Sequence, residues 1–94
     1  MATLIKTDGT RLEVFPNDKK RGFTCEEMYN LIGCDIIECV GPNRRGESLI
    51  VDEIGKLKDD IEPNLAATRW VRENFGPYDV IVGNAVLVSK KEFK

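Results

Sequence analysis

The sequence predicts an α+β domain of about six short strands and two helices, in the order ββ-α-ββ-α-ββ. Three observations carry that reading. Leu12 and Val14 alternate with Arg11 and Glu13, the period of a strand with one wet face. Thr24 stands three residues before Glu27 at the head of an apolar run with helical spacing. Asp8-Gly9 and Gly83-Asn84 each separate two apolar segments, as hairpin turns do. With 94 residues and no internal linker, residues 1–94 are expected to form a single domain. The simplest packing is one mixed or antiparallel sheet with both helices on a single face.

The elements follow in order. Thr3 to Thr7 and Thr10 to Phe15 form a hairpin around Asp8-Gly9, read as a type I′ turn. Pro16-Asn17-Asp18 ends it, and Lys19-Lys20-Arg21-Gly22 is a charged loop. Thr24 and Glu27 make a capping box, Phe23 and Met28 a hydrophobic staple. Cys25, Met28, Leu31 and Ile32 fall on one helical face, and Gly33 offers a left-handed stop. Cys34 to Val40 reads as a strand, residues 41–46 as a turn-rich loop, and Ser48 to Asp52 as the returning strand. Glu53 to Asp60 is a polar connector. The second helix runs from Pro63 to Asn74, with Leu65, Thr68, Val71 and Phe75 on its apolar face. Gly76-Pro77 stops it. Asp79 to Val82 and Ala85 to Val88 then form a hairpin around Gly83-Asn84, apolar enough to need cover on both faces. Lys90 to Lys94 reads as a charged, frayed tail.

Bulk composition narrows the function. A balance of 41% hydrophobic and 32% charged residues is that of a folded globular chain. The net charge of −2 supplies no general attraction to nucleic acid or to an anionic membrane. No apolar run reaches the roughly 18–20 residues needed to span a bilayer. The N-terminal segment meets Lys6 and Asp8 too early to hold the apolar core of a signal peptide. Cys25, Cys34 and Cys39 are odd in number and widely spaced, which fits a reducing compartment. A cytoplasmic location is therefore expected. Without histidine or a C-x-x-C pair there is no structural zinc signature, and no cofactor fingerprint is present.

Catalysis is not expected either. General acid–base chemistry most often uses histidine, and the chain has none. Asp59-Asp60-Glu62 is the densest acidic cluster, but in a lysine-rich connector such a run reads first as a solvated loop. Two surfaces remain as candidates for binding. Asn43-Arg44-Arg45-Gly46 places adjacent guanidiniums on a flexible loop, a fork able to grip a phosphate or carboxylate. Its plainer alternative is a solvated turn. Asn64, Arg69, Trp70 and Arg72 mark the start and outer side of the second helix. There an anion could meet the helix N-terminus, and Arg69 and Arg72 share one face. The alternative is that Asn64 only caps the helix and Trp70 belongs to the core.

Several segments also resemble a known group. Met28 to Gly33, Ile36 to Val40, Val51 to Leu57, Glu62-Pro63-Asn64 with Ala67-Thr68, and Tyr78 to Gly83 occur in the order seen in domain-of-unknown-function family 3846. The likeness covers roughly residues 24 to 89, and a longer Arg69–Phe75 segment departs from the pattern. That family is carried by phages, plasmids, other mobile elements and large algal viruses, and it brings no catalytic residues. The resemblance implies a small non-enzymatic accessory protein that binds a host protein in the host cell interior. The alternative is an oligomer, most simply a homo-oligomer, that sequesters a small anionic, nucleotide-like ligand.

Overall fold

The computed structural model describes residues 2–57 and 61–93. Five strands and two helices alternate along the chain. They are β1 (Ala2–Ile5), β2 (Arg11–Val14), α1 (Cys25–Ile32), β3 (Ile37–Val40), β4 (Glu47–Asp52), α2 (Leu65–Phe75) and β5 (Ala85–Ser89). A short 3₁₀ turn, Gly55–Leu57, follows β4. The strands form one antiparallel sheet in the order β2-β1-β5-β4-β3, which makes the last strand in sequence the central one. The α+β class expected from the sequence is the class observed.

The helices lie on opposite faces of this sheet, not on one. Leu4 and Ile50 both stand opposite Val86, and this row packs with Met28 and Ile32 of α1. Ile5 stands opposite Ala85, and Leu49 opposite Leu87; these pack with Ala67 and Val71 of α2. Neighbouring residues of a strand point to opposite sides, so two separate cores follow. The physical reason is visible in β1, β4 and β5, where Leu4-Ile5, Leu49-Ile50-Val51 and Ala85-Val86 are apolar at successive positions. A strand apolar on both sides needs cover on both.

The expected sixth strand is absent because β5 has no free edge to offer it. Both edges are taken, by β1 and by β4. Residues 79–82 instead run beside the entrance to α2, with one bridge between Pro63 and Val82. The Ile81 carbonyl accepts the Asn64 N–H at 2.7 Å, and the Ile81 N–H donates to Thr68 Oγ1 at 2.9 Å. The first hairpin keeps its place but not its turn type. A type I′ turn needs positive φ at Asp8, and no non-glycine residue has it. Gly9 alone is left-handed, at φ 91°, within a three-residue loop closed by Lys6 N–H to the Thr10 carbonyl at 2.9 Å.

Both ends of α1 match their sequence signals. The capping box of Thr24 and Glu27 is formed in both directions, and Gly33 closes the helix at φ 82°. Phe23 and Met28 are both buried, but Cys25 is exposed, so the apolar face begins one turn later than its spacing implied. In α2, Leu65 is 72% exposed and Phe75 41%; the buried side is Ala67, Thr68 and Val71. The segment after β5 does not fray at residues 90–93. Phe23 N–H donates to the Glu92 carbonyl at 2.6 Å, and Phe93 packs against the α1 core.

Candidate binding surface

The loop between β3 and β4 is organised by one side chain. Asn43 accepts the Arg45 N–H at 3.0 Å and the Glu47 N–H at 2.9 Å through its Oδ1, the short-range asparagine turn that such loops use. Its Nδ2 donates to Glu47 Oε1 at 3.0 Å and to Asn74 Oδ1 at 2.7 Å. Asn74 in turn donates to the Trp70 carbonyl at 2.8 Å. The loop is therefore tied to the last turn of α2, and Arg44 and Arg45 project from an anchored base into solvent.

The outer side of α2 continues the same surface. Arg69, Arg72 and Glu73 are exposed, because the buried stripe of this helix faces the sheet. Arg72 Nε donates to the Tyr78 carbonyl at 3.1 Å, which fixes the direction of that guanidinium. The ion pair found among the described residues is Arg21 with Asp18, and none of Arg44, Arg45, Arg69 and Arg72 takes part in one. An open hollow of about 330 Å³ is lined by Asn43, Arg44, Arg45, Glu73 and Asn74. A shallower one of about 440 Å³, lined by Leu65, Thr68, Arg69, Arg72 and Glu73, adjoins it at Glu73. Four guanidiniums thus line two adjoining hollows that share Glu73.

Of the residues singled out from sequence, Asn43, Arg44, Arg45, Arg69 and Arg72 come together here. Trp70 sits at the edge, half-buried against the α2 core, its ring edge-on to Phe75 at 5.8 Å between centroids. Asn64 does not join them. It is fully buried, and its Nδ2 donates to the carbonyls of Ile5 and Gly83, each at 2.9 Å. Its Oδ1 accepts the Ala67 N–H at 3.0 Å, so no group remains for an anion. Ten residues at about 1.5 Å rise each also put it some 15 Å from Asn74 along the helix. The residues that sequence reasoning missed are Glu73 and Asn74, which carry no signal beyond lying on the exposed side of a helix.

Among the described residues the remaining polar groups form no second centre of this kind. Asp59 and Asp60 lie outside the described residues, and Glu62 is exposed. No group of three or more Cys, Asp or Glu side chains able to hold a metal ion occurs among the described residues. Cys25 and Cys39 are exposed, whereas Cys34 is buried in the α1 core. Among the described residues no helix is long and apolar enough to cross a membrane.

The family model described as Domain of unknown function (DUF3846) matches residues 2–94. No curated protein and no solved structure matches the chain.

Proposed function

The chain belongs to the DUF3846 family, and we propose that it acts by binding rather than by catalysis, holding an acidic surface of a partner protein against the face shared by the β3–β4 loop and α2. One observation carries the reading. The Asn43–Asn74 hydrogen bond joins two arginine-bearing segments that lie 31 residues apart in sequence. Arginine is suited to such a role because its planar fork meets carboxylates bidentately and is weakly hydrated. The anchored loop base lowers the ordering cost of contact. The openness of the adjoining hollows favours a broad protein surface over an enclosed small molecule. A tighter hollow between β4 and residues 78–82 is only about 90 Å³ and carries Glu38, Asp52 and Glu53, the wrong size and sign for an anion. On the reading that family members serve viruses and mobile elements, the partner is a host-cell protein.

A second reading rests on the hollow beside Arg44 and Arg45. Its volume is within the range of small-ligand sites, and a small anionic ligand of nucleotide-like chemistry suits its charge. The two readings separate by experiment. Proteins captured from host lysate by the wild type are compared with those captured by Arg44→Glu plus Arg45→Glu, at two exposed side chains that make no hydrogen bond or ion pair among the described residues. Loss of the wild-type partners supports the first reading; recovery of the same partners by the double variant defeats it. Native mass spectrometry of the purified protein addresses the second, which predicts a bound small molecule at each copy of the hollow.

A further inference from the structure

The sheet has two outer edges, and they differ in what they offer. We propose that β2 is a self-complementary edge through which two copies of this chain pair, antiparallel, into one continuous sheet. The hydrogen-bonding phase comes first. The Thr10 carbonyl points inward to Lys6 of the opposite arm. Backbone groups alternate in direction along a strand, so Leu12 and Val14 also face β1, and Arg11 and Glu13 turn their N–H and C=O groups outward. β2 ends the sheet, and no strand meets those outward groups among the described residues.

Only residues with outward groups can exchange hydrogen bonds across a new strand pair. A register centred on Leu12 satisfies this, because it sets Arg11 opposite Glu13 of the second copy and Glu13 opposite its Arg11. The same register places opposite charges face to face twice, and cross-strand charge pairs of this kind stabilise a sheet. It brings Leu12, 44% exposed, against Leu12 of the copy on the α1 side. Continued outward, it carries Phe15, 61% exposed, to the level of Gly9 of the copy, where a β carbon would meet nothing within 4 Å. An aromatic ring over an open edge glycine is a favourable cross-strand arrangement.

β3 at the other edge lacks this complementarity. There the Ile36 carbonyl accepts from the N–H of Glu53, the residue after β4, so Ile37 and Cys39 face outward. A register that pairs them centres on Glu38 and stacks two carboxylates. Unpaired sheet edges are otherwise a route to uncontrolled association, and a charge code on one edge with repulsion on the other directs pairing to a closed dimer. The two-fold axis of such a pair stands perpendicular to the sheet, so the α2 faces of both copies, with their arginines, look the same way.

Analytical ultracentrifugation of the full chain tests the register. The wild type is expected to dimerise with rising concentration. Arg11→Glu and Glu13→Lys, each alone, create like-charge pairs and raise the dissociation constant about tenfold or more. An equimolar mixture of the two variants regains the dimer, because one then presents two negative charges to two positive ones. A wild type that stays monomeric overturns the proposal. So does a variant that dimerises as the wild type does, or a mixture that remains monomeric.

Discussion

A buried amide costs free energy unless each of its polar atoms finds a partner. Asn64 meets that condition at 0% exposure by joining three parts of the chain: the end of β1, the segment before β5 and the first turn of α2. Thr68 supports it, its hydroxyl donating to the Asn64 carbonyl at 2.8 Å while accepting the Ile81 N–H. Asn64→Ala removes hydrogen bonds made to the Ile5 and Gly83 carbonyls and to the Ala67 N–H, and is expected to cost about 2–4 kcal/mol in urea unfolding. A loss below about 1 kcal/mol would mean that water takes over these bonds. The capping role stood in the sequence only as the plainer alternative, with the helix expected to begin at Pro63; it begins at Leu65, and Pro63 bridges to Val82 instead. The burial of Asn64 was not legible, since the Ile5 partner is 59 residues away and no local pattern encodes it. Arg44 and Arg45 were legible by chemical type; their neighbourhood with Asn74 depends on how the sheet positions loop and helix.

Among the elements, α1 is the one whose local signals and tertiary packing agree most fully. Glu27 is central to its start. Its carboxylate accepts the Asn17 N–H and the Thr24 N–H, each at 2.9 Å. The hydrogen bond from the Asn17 backbone, followed by that from Thr24, holds its pKa below the ordinary 4.5. A carboxyl with a lowered folded pKa contributes stability above its unfolded value and loses it as pH falls through the folded one. The wild type should therefore lose melting temperature faster than Glu27→Gln as pH is lowered below about 4.5. Parallel acid melts of the two proteins would refute this. The loop before the helix is equally constrained. Gly22 sits at φ 82°, and a β carbon there would collide with the Glu92 carbonyl. Gly22→Ala should cost more than about 1 kcal/mol in the same unfolding assay. The hairpins were harder to read. Asp8-Gly9 marks a turn correctly, but turn type follows from strand register, and an apolar run such as 79–82 does not reveal whether a sheet edge is open to it.

For the molecule as a whole, the decisive feature is the division into two cores on either side of one sheet. Ile32 belongs to the α1 side and Val71 to the α2 side, with no shared core cluster. Ile32→Val should cost about 1 kcal/mol and Val71→Ala about 2 kcal/mol. The double variant should lose their sum to within about 0.5 kcal/mol in urea unfolding. Coupling above about 1 kcal/mol would show that the sheet passes packing strain from one face to the other. Doubly apolar β4 and β5 contained the information for this division, because only cover on both sides can dry them. The α+β class was readable from element order; the opposed helices required taking that apolar doubling at its word.

The central place of β5 also bears on how the protein is made. Synthesis runs from the N-terminus, so the β1–β2 hairpin and the β3–β4 hairpin both leave the ribosome before the strand that lies between them. Until Ala85–Ser89 has been translated, each hairpin carries an apolar flank with no neighbour, and neither helix has a finished floor to rest on. The sheet closes in one late event rather than growing strand by strand. The hairpin edges stay open to misassembly until those five residues are free to pair between them.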